Sequence, residues 1–192
     1  MEAFLLGKPT RCNDEWQLML LHPLPRKVLL VTHISTSVGL MGAVAGFLLL
    51  AIIGLISPDP QLVHSVYPAM DLITRLLILP LVIASLVIGV AQSLVTPWGL
   101  FRHWWIVVKL GMNVIILAVL LVQMPGIHHV GAVAASNAPL DTLFGVRASF
   151  VVHATGGLLA LLIPLGLSVF KPRGLTRYGW GKQTERVSEP LV

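Results

Sequence analysis

The chain has 192 residues, of which 56% are hydrophobic and 11% charged, with a mean hydropathy of +0.87. A water-soluble domain covers its surface with about a quarter charged residues, so composition excludes one and makes the lipid bilayer the first partner. The formal net charge is +5, but the basic residues fall at the ends of apolar runs rather than along one exposed stripe, which sets membrane topology and implies no nucleic-acid partner.

The first 27 residues form a polar segment with no short apolar core and small-residue cleavage site, so no signal peptide is expected. Its Cys12 is the only cysteine; an internal disulfide is excluded, and a reduced cytoplasmic thiol is expected. The transmembrane domain then covers 28–170, with apolar spans predicted at 28–56, 69–95, 105–123 and 148–170. Crossing a hydrocarbon core of about 30 Å takes roughly 20 apolar residues as a helix. Continuous apolar runs, without alternation, exclude a barrel. The fold class is therefore all-α, an integral membrane four-helix bundle. Pro58, Pro60, Pro68, Pro125 and Pro172 mark predicted helix limits, and Pro80 and Pro164, inside spans, predict kinks. A loop at 124–147 and a basic tail at 171–192 complete the chain.

Lys and Arg are concentrated in the two tails: Lys8, Arg11, Arg26 and Lys27 before the first span, and Lys171, Arg173, Arg177, Lys182 and Arg186 after the last. The second loop adds Arg102, the first has none and the third only Arg147. Both termini are accordingly expected in the cytoplasm of a multi-pass plasma-membrane protein. Trp98, Trp104, Trp105, Tyr178 and Trp180 fall at the same boundary, where an indole or phenol keeps its polar group wet. The tail should lie on anionic headgroups.

Within the spans, polar and small residues form faces. Ser35, Gly39, Gly42 and Gly46 make a small-residue seam suited to close packing within the chain or, through Gly39, Gly42 and Gly46, to a homo-oligomer. Asp71, Thr74, Arg75, Ser85, Gly89 and Gln92 fall in one sector of an ideal wheel; Lys109, Asn113 and Gln123 share another, and His153, Gly157, Ala160 and Pro164 a third. Polar groups in a span turn inward, either as helix glue or as a site. Depth sorts them into two sets. His33 and Lys109 lie towards the cytoplasmic boundary, and Asp71, Arg75 and His153 towards the outer one, with His64, His128 and His129 nearby. His33 and His153 differ in depth by roughly 20 Å at 1.5 Å per residue, so they should not share an iron.

Helix-borne histidines facing a bundle core are how such bundles hold haem. His33 with Lys109 forms one candidate cofactor site. His153 with His128 or His129, and Arg75 for a propionate, forms another. A metal site among His64, His128, His129 and His153, with Asp59 or Asp141, matches no ligand spacing and is not expected. No G-x-S-x-G, P-loop or dinucleotide glycine fingerprint occurs, so neither nucleophilic catalysis nor ATP-driven transport has a motif here. The other reading of the polar residues is a non-catalytic membrane subunit or interaction protein in which they only hold helices together.

The runs HISTSVGLMGAVAGF, MDLITRLLILPLVIASLVIGVAQSLVTPWGLFRHWWIVVKL and KPRGLTRYGWGKQ resemble a family of small integral membrane proteins of actinobacteria with no assigned function. That family is distantly similar to four-helix membrane proteins of the copper-resistance D type and to HemJ-type protoporphyrinogen oxidases. The positions carrying the likeness are His33, Gly39, Gly89, Trp105 and Lys109. The resemblance implies that His33 and Lys109 serve a haem b or porphyrin. This chain departs from the oxidases in helix one, which lacks the tryptophan, arginine and second histidine they carry there.

Overall fold

A computed structural model describes residues 23–95, 100–101, 103–170, 174 and 176. The expectations that rest on Cys12, on most tail basics, on Trp98, Arg102, Tyr178 and Trp180 lie outside the described residues. Among those described, helices account for the architecture and no strand forms. Helix α1 spans Pro23–Ile56, α2 Pro60–Ile73, α3 Leu79–Val95, α4 Trp104–Ala135 and α5 Phe144–Phe170. A π turn, Thr74–Ile78, joins α2 and α3 into one continuous rod. The result is four helices long and apolar enough to cross a membrane, of 33, 35, 32 and 28 residues. At about 1.5 Å per residue the longest measures roughly 50 Å, so the rods project beyond a hydrocarbon core or tilt within it.

The helices alternate in direction, and each span packs on its sequence neighbours while α5 closes on α1. Leu40, Phe47 and Ala51 of α1, Tyr67 and Met70 of α2, Val82 of α3, Val130 of α4 and Phe150 of α5 meet in the core. Phe47 and Phe150 pack edge to face, their centroids 6.5 Å apart, an arrangement worth about 0.5–1.5 kcal/mol beyond its contact area. The outer faces are the reverse of a soluble protein. Leu76, Val122 and Val152 are 69%, 76% and 68% exposed, which in water would cost free energy at every residue and in lipid costs nothing.

Local chemistry explains the ends. Asp59 caps α2 through an acceptor bond from the Gln61 amide, 2.9 Å, with Pro60 in the first turn where its missing N–H is harmless. The third rod stops at a left-handed Asn137, φ 54°. The Ala138 amide donates to Val133 at 3.3 Å and the Asn137 amide to Ala134 at 3.0 Å, the paired bonds of a Schellman cap, followed by Pro139.

Two helix limits read from proline are corrected. Pro68 lies inside α2 rather than before it, and Pro125 lies inside α4 rather than after it. The expected loop at 124–147 is therefore helix as far as Ala135. Packing outweighs the lost hydrogen bond: beyond Pro125 the residues Ile127, Val130, Gly131 and Ala134 are buried, and a side chain at Gly131 would lie 3.3 Å from the Tyr67 carbonyl. Pro80 produces a π turn directly before it. The Leu79 amide there reaches back five residues to the Thr74 carbonyl, widening the helix ahead of a residue that cannot donate.

Candidate functional site

The π turn adds one residue to the helical repeat, which rotates everything after it by about 100° relative to an ideal wheel. The polar sector expected from Asp71 to Gln92 is consequently split. Asp71 turns to α4, where its carboxylate accepts from His128 Nδ1 at 3.2 Å, while Ser85 and Gly89 turn to α1. These two groups lie at opposite ends of the bundle. The distal end carries the reversal at 57–59 and the connection at 136–143; the terminal end carries the start of α1 and the connection into α4.

At the terminal end, His33 of α1 docks on Gly89 of α3. A β-carbon at residue 89 would stand 3.2 Å from the ring's Cε1 and 3.7 Å from Nδ1, so glycine is what admits the ring. Nδ1 is buried and, among the described residues, has no hydrogen-bond partner. One turn along α1, the Ser37 and Ser85 hydroxyls are 3.2 Å apart. Lys109 is itself engaged. Its ammonium donates to Ser168 of α5 and sits 4.8 Å from the Trp105 ring centroid. His33 and Lys109, expected together, lie at the same end of the bundle, and Lys109 is directed to Ser168 and Trp105.

The other expected grouping does not assemble. His153 Nδ1 lies 2.7 Å from the Ser149 carbonyl and 2.9 Å from the Gln123 amide. In one tautomer Nδ1 donates to the Ser149 carbonyl, and in the other it accepts from the Gln123 amide nitrogen. Arg75 is held instead by Asp71 at 2.9 Å, in the same cluster as His128. His64 Nδ1 donates to the Ala134 carbonyl at 3.0 Å. His64, His128 and His153 have separate tethers, and among the described residues no three His, Cys, Asp or Glu side chains converge as metal ligands.

The distal end holds the densest polar constellation, and sequence reasoning missed it. Arg147 of α5 donates from Nε to the Tyr67 hydroxyl at 2.7 Å, from one Nη to the Gly54 carbonyl at 2.6 Å and from the other to the Leu140 carbonyl at 3.4 Å. Its guanidinium also sits 5.3 Å from the Tyr67 ring centroid. Gly54 makes room: a β-carbon there would be 2.8 Å from both Cζ and Oη of Tyr67. One arginine therefore joins α1, α2, α5 and the connection before α5. The available signal is a lone basic residue in a region of small and apolar ones, which the count of loop charges alone does not single out.

No family model, curated protein or solved structure matches this chain.

Proposed function

We propose that this is a multi-pass plasma-membrane protein with both tails in the cytoplasm, acting as a non-catalytic membrane subunit or interaction protein. The observation that carries this reading is how the polar side chains of the spans are used. Ser37 meets Ser85, Gln123 meets His153, Asp71 meets Arg75 and His128, Lys109 meets Ser168, and Arg147 meets Tyr67 and Gly54. Groups paired in this way fasten helices. A partner surface remains. Gly39 has Leu81 beside it, but a β-carbon at Gly42 or Gly46 would meet nothing within 4 Å. That part of the seam is where a second copy would dock, since small residues let two helices approach closely. Cysteine crosslinking in membranes tests this. Single cysteines at Gly42 or Gly46 should give dimer while one at Val122 should not, and equal yields from all three would reject the surface. Labelling of both tails from the cytoplasmic side only tests the topology.

A second reading is favoured by one observation, the buried and unpartnered Nδ1 of His33. An imidazole nitrogen without a hydrogen bond is a competent donor to iron. His33 is the residue that would hold a haem b or porphyrin, with Lys109 at the same end of the bundle, and a bound haem would supply one-electron redox chemistry. His153 and Arg75 lie in separate clusters and add nothing to that site. Protein purified in mild detergent after growth with a haem precursor should show a Soret band that His33→Ala removes and His153→Ala keeps. A spectrum without such a band eliminates this reading and leaves the first standing.

A further inference from the structure

The distal end contains an open cleft of about 340 Å³, lined by residues that include Ser57, His64, Pro139, Leu140, Asp141 and Arg147. Its volume is that of a small-ligand site. Arg147 brings a full positive charge to it. A guanidinium has five N–H donors, and three are committed, all to neutral oxygens. No carboxylate pairs with it among the described residues. One N–H on each terminal nitrogen therefore remains for a ligand, and a guanidinium is the side chain best suited to oxyanions. A half-buried cation compensated only by dipoles is costly, and an oxyanion in the cleft would remove that cost.

The second charge in the lining is Asp141, an exposed carboxylate of the short 3-10 turn before α5. It lines the same cleft without pairing to Arg147, and among the described residues its side chain accepts no hydrogen bond. A cation and an anion facing one cleft without neutralising each other complement a ligand that carries both signs. His64 contributes a ring whose Nδ1 is occupied by Ala134, which leaves Nε2 for the ligand. The cleft lies where the second and fourth spans begin, the depth of phospholipid headgroups.

We propose that this cleft binds a phosphoethanolamine group, with phosphate on Arg147 and the primary ammonium on Asp141, supplied either as a lipid headgroup or as the free molecule. Ser57 and Nε2 of His64 are the polar groups that complete the pocket, and Pro58, Pro60 and Pro139 stiffen its wall. The inference does not depend on the subunit or haem readings.

The full chain in detergent micelles doped with phosphatidylethanolamine, phosphatidylcholine or phosphatidylglycerol tests it by thermal unfolding. Phosphatidylethanolamine should raise the midpoint by about 3 °C or more over phosphatidylcholine, whose quaternary ammonium offers no N–H to Asp141. Asp141→Asn, at an exposed position whose side chain makes no hydrogen bond among the described residues, should fold normally and erase that difference. Arg147→Lys should lose the response to every headgroup. Soluble phosphoethanolamine that protects equally identifies the free molecule as the ligand, and protection by the lipid alone identifies the headgroup. Equal protection by all three lipids, stronger protection by phosphatidylglycerol, or an ethanolamine preference that survives Asp141→Asn would each overturn the assignment.

Discussion

At the distal end one guanidinium gathers three helices and a connection, whereas among the described residues the terminal end is joined by separate pairs: two hydroxyls, a lysine bonded to a serine, a histidine ring on a glycine, and bonds from Thr176 to Phe101 and from Trp104 to Gly174. Burial follows the same gradient. In α4, four of the five buried residues, Ile127, Val130, Gly131 and Ala134, lie in its distal third, and only Ile106 lies near its start. Lipid gives helices no hydrophobic reason to associate, so cohesion depends on close contact and directed bonds. The difference teaches that one clasp can gather several helices at once, where separate pairs each join two. Substitutions in the Arg147 clasp should therefore destabilise the bundle more than those at the contact of His33 with Gly89.

The sharpest way to break that contrast is Gly54→Val. Its side chain would collide with the Tyr67 ring, 2.8 Å from the β-carbon position, and displace the partner of Arg147. The expected result is loss of folded protein in detergent; Gly54→Ala should cost about 1–3 kcal/mol, as overpacking does. A wild-type unfolding midpoint for Gly54→Ala would mean that the clasp is not a clasp. Tyr67→Phe keeps the ring but removes the acceptor for Arg147 Nε, leaving a half-buried charge short of one bond. A destabilisation of about 1–3 kcal/mol is expected, read from the same midpoint.

The terminal end should respond less. Gly89→Ala pushes a methyl group to 3.2 Å from His33 Cε1, a contact relieved by a small shift of the ring, so about 1 kcal/mol or less is expected. Combined with His33→Ala, most of that loss should vanish. Additive losses in the double mutant would show that the two residues do not touch. The smallest effect belongs to Asp71→Asn. Although this residue is distal, its partners Arg75 and His128 are 43% and 58% exposed, and exposed pairs contribute about 0–1 kcal/mol. A loss as large as that of Tyr67→Phe would move the distal clasp from Arg147 to Asp71.

Composition and the lengths of apolar runs determined by themselves that the chain forms four membrane-length helices, because unpaired backbone groups are rejected by hydrocarbon and leave a helix as the answer for each continuous apolar run. That His33 and Lys109 lie towards the same end of the bundle was also legible, from their depth in alternating spans, but the docking of His33 on Gly89 was not. Helix ends were less so. Proline weakens a helix locally, and whether the helix stops is decided by what lies beyond: after Pro125 those residues are buried against other rods, and the helix runs on to Asn137. Only tertiary structure could split the polar sector of the second span, because a single inserted residue at the π turn changes which neighbour each later side chain meets. Only tertiary structure could single out Arg147, because its partners lie 93, 80 and 7 residues away in the chain. Backbone solvation is a property of each segment, so sequence carries it. The pairing of a charge depends on which segments meet, and that is settled by packing.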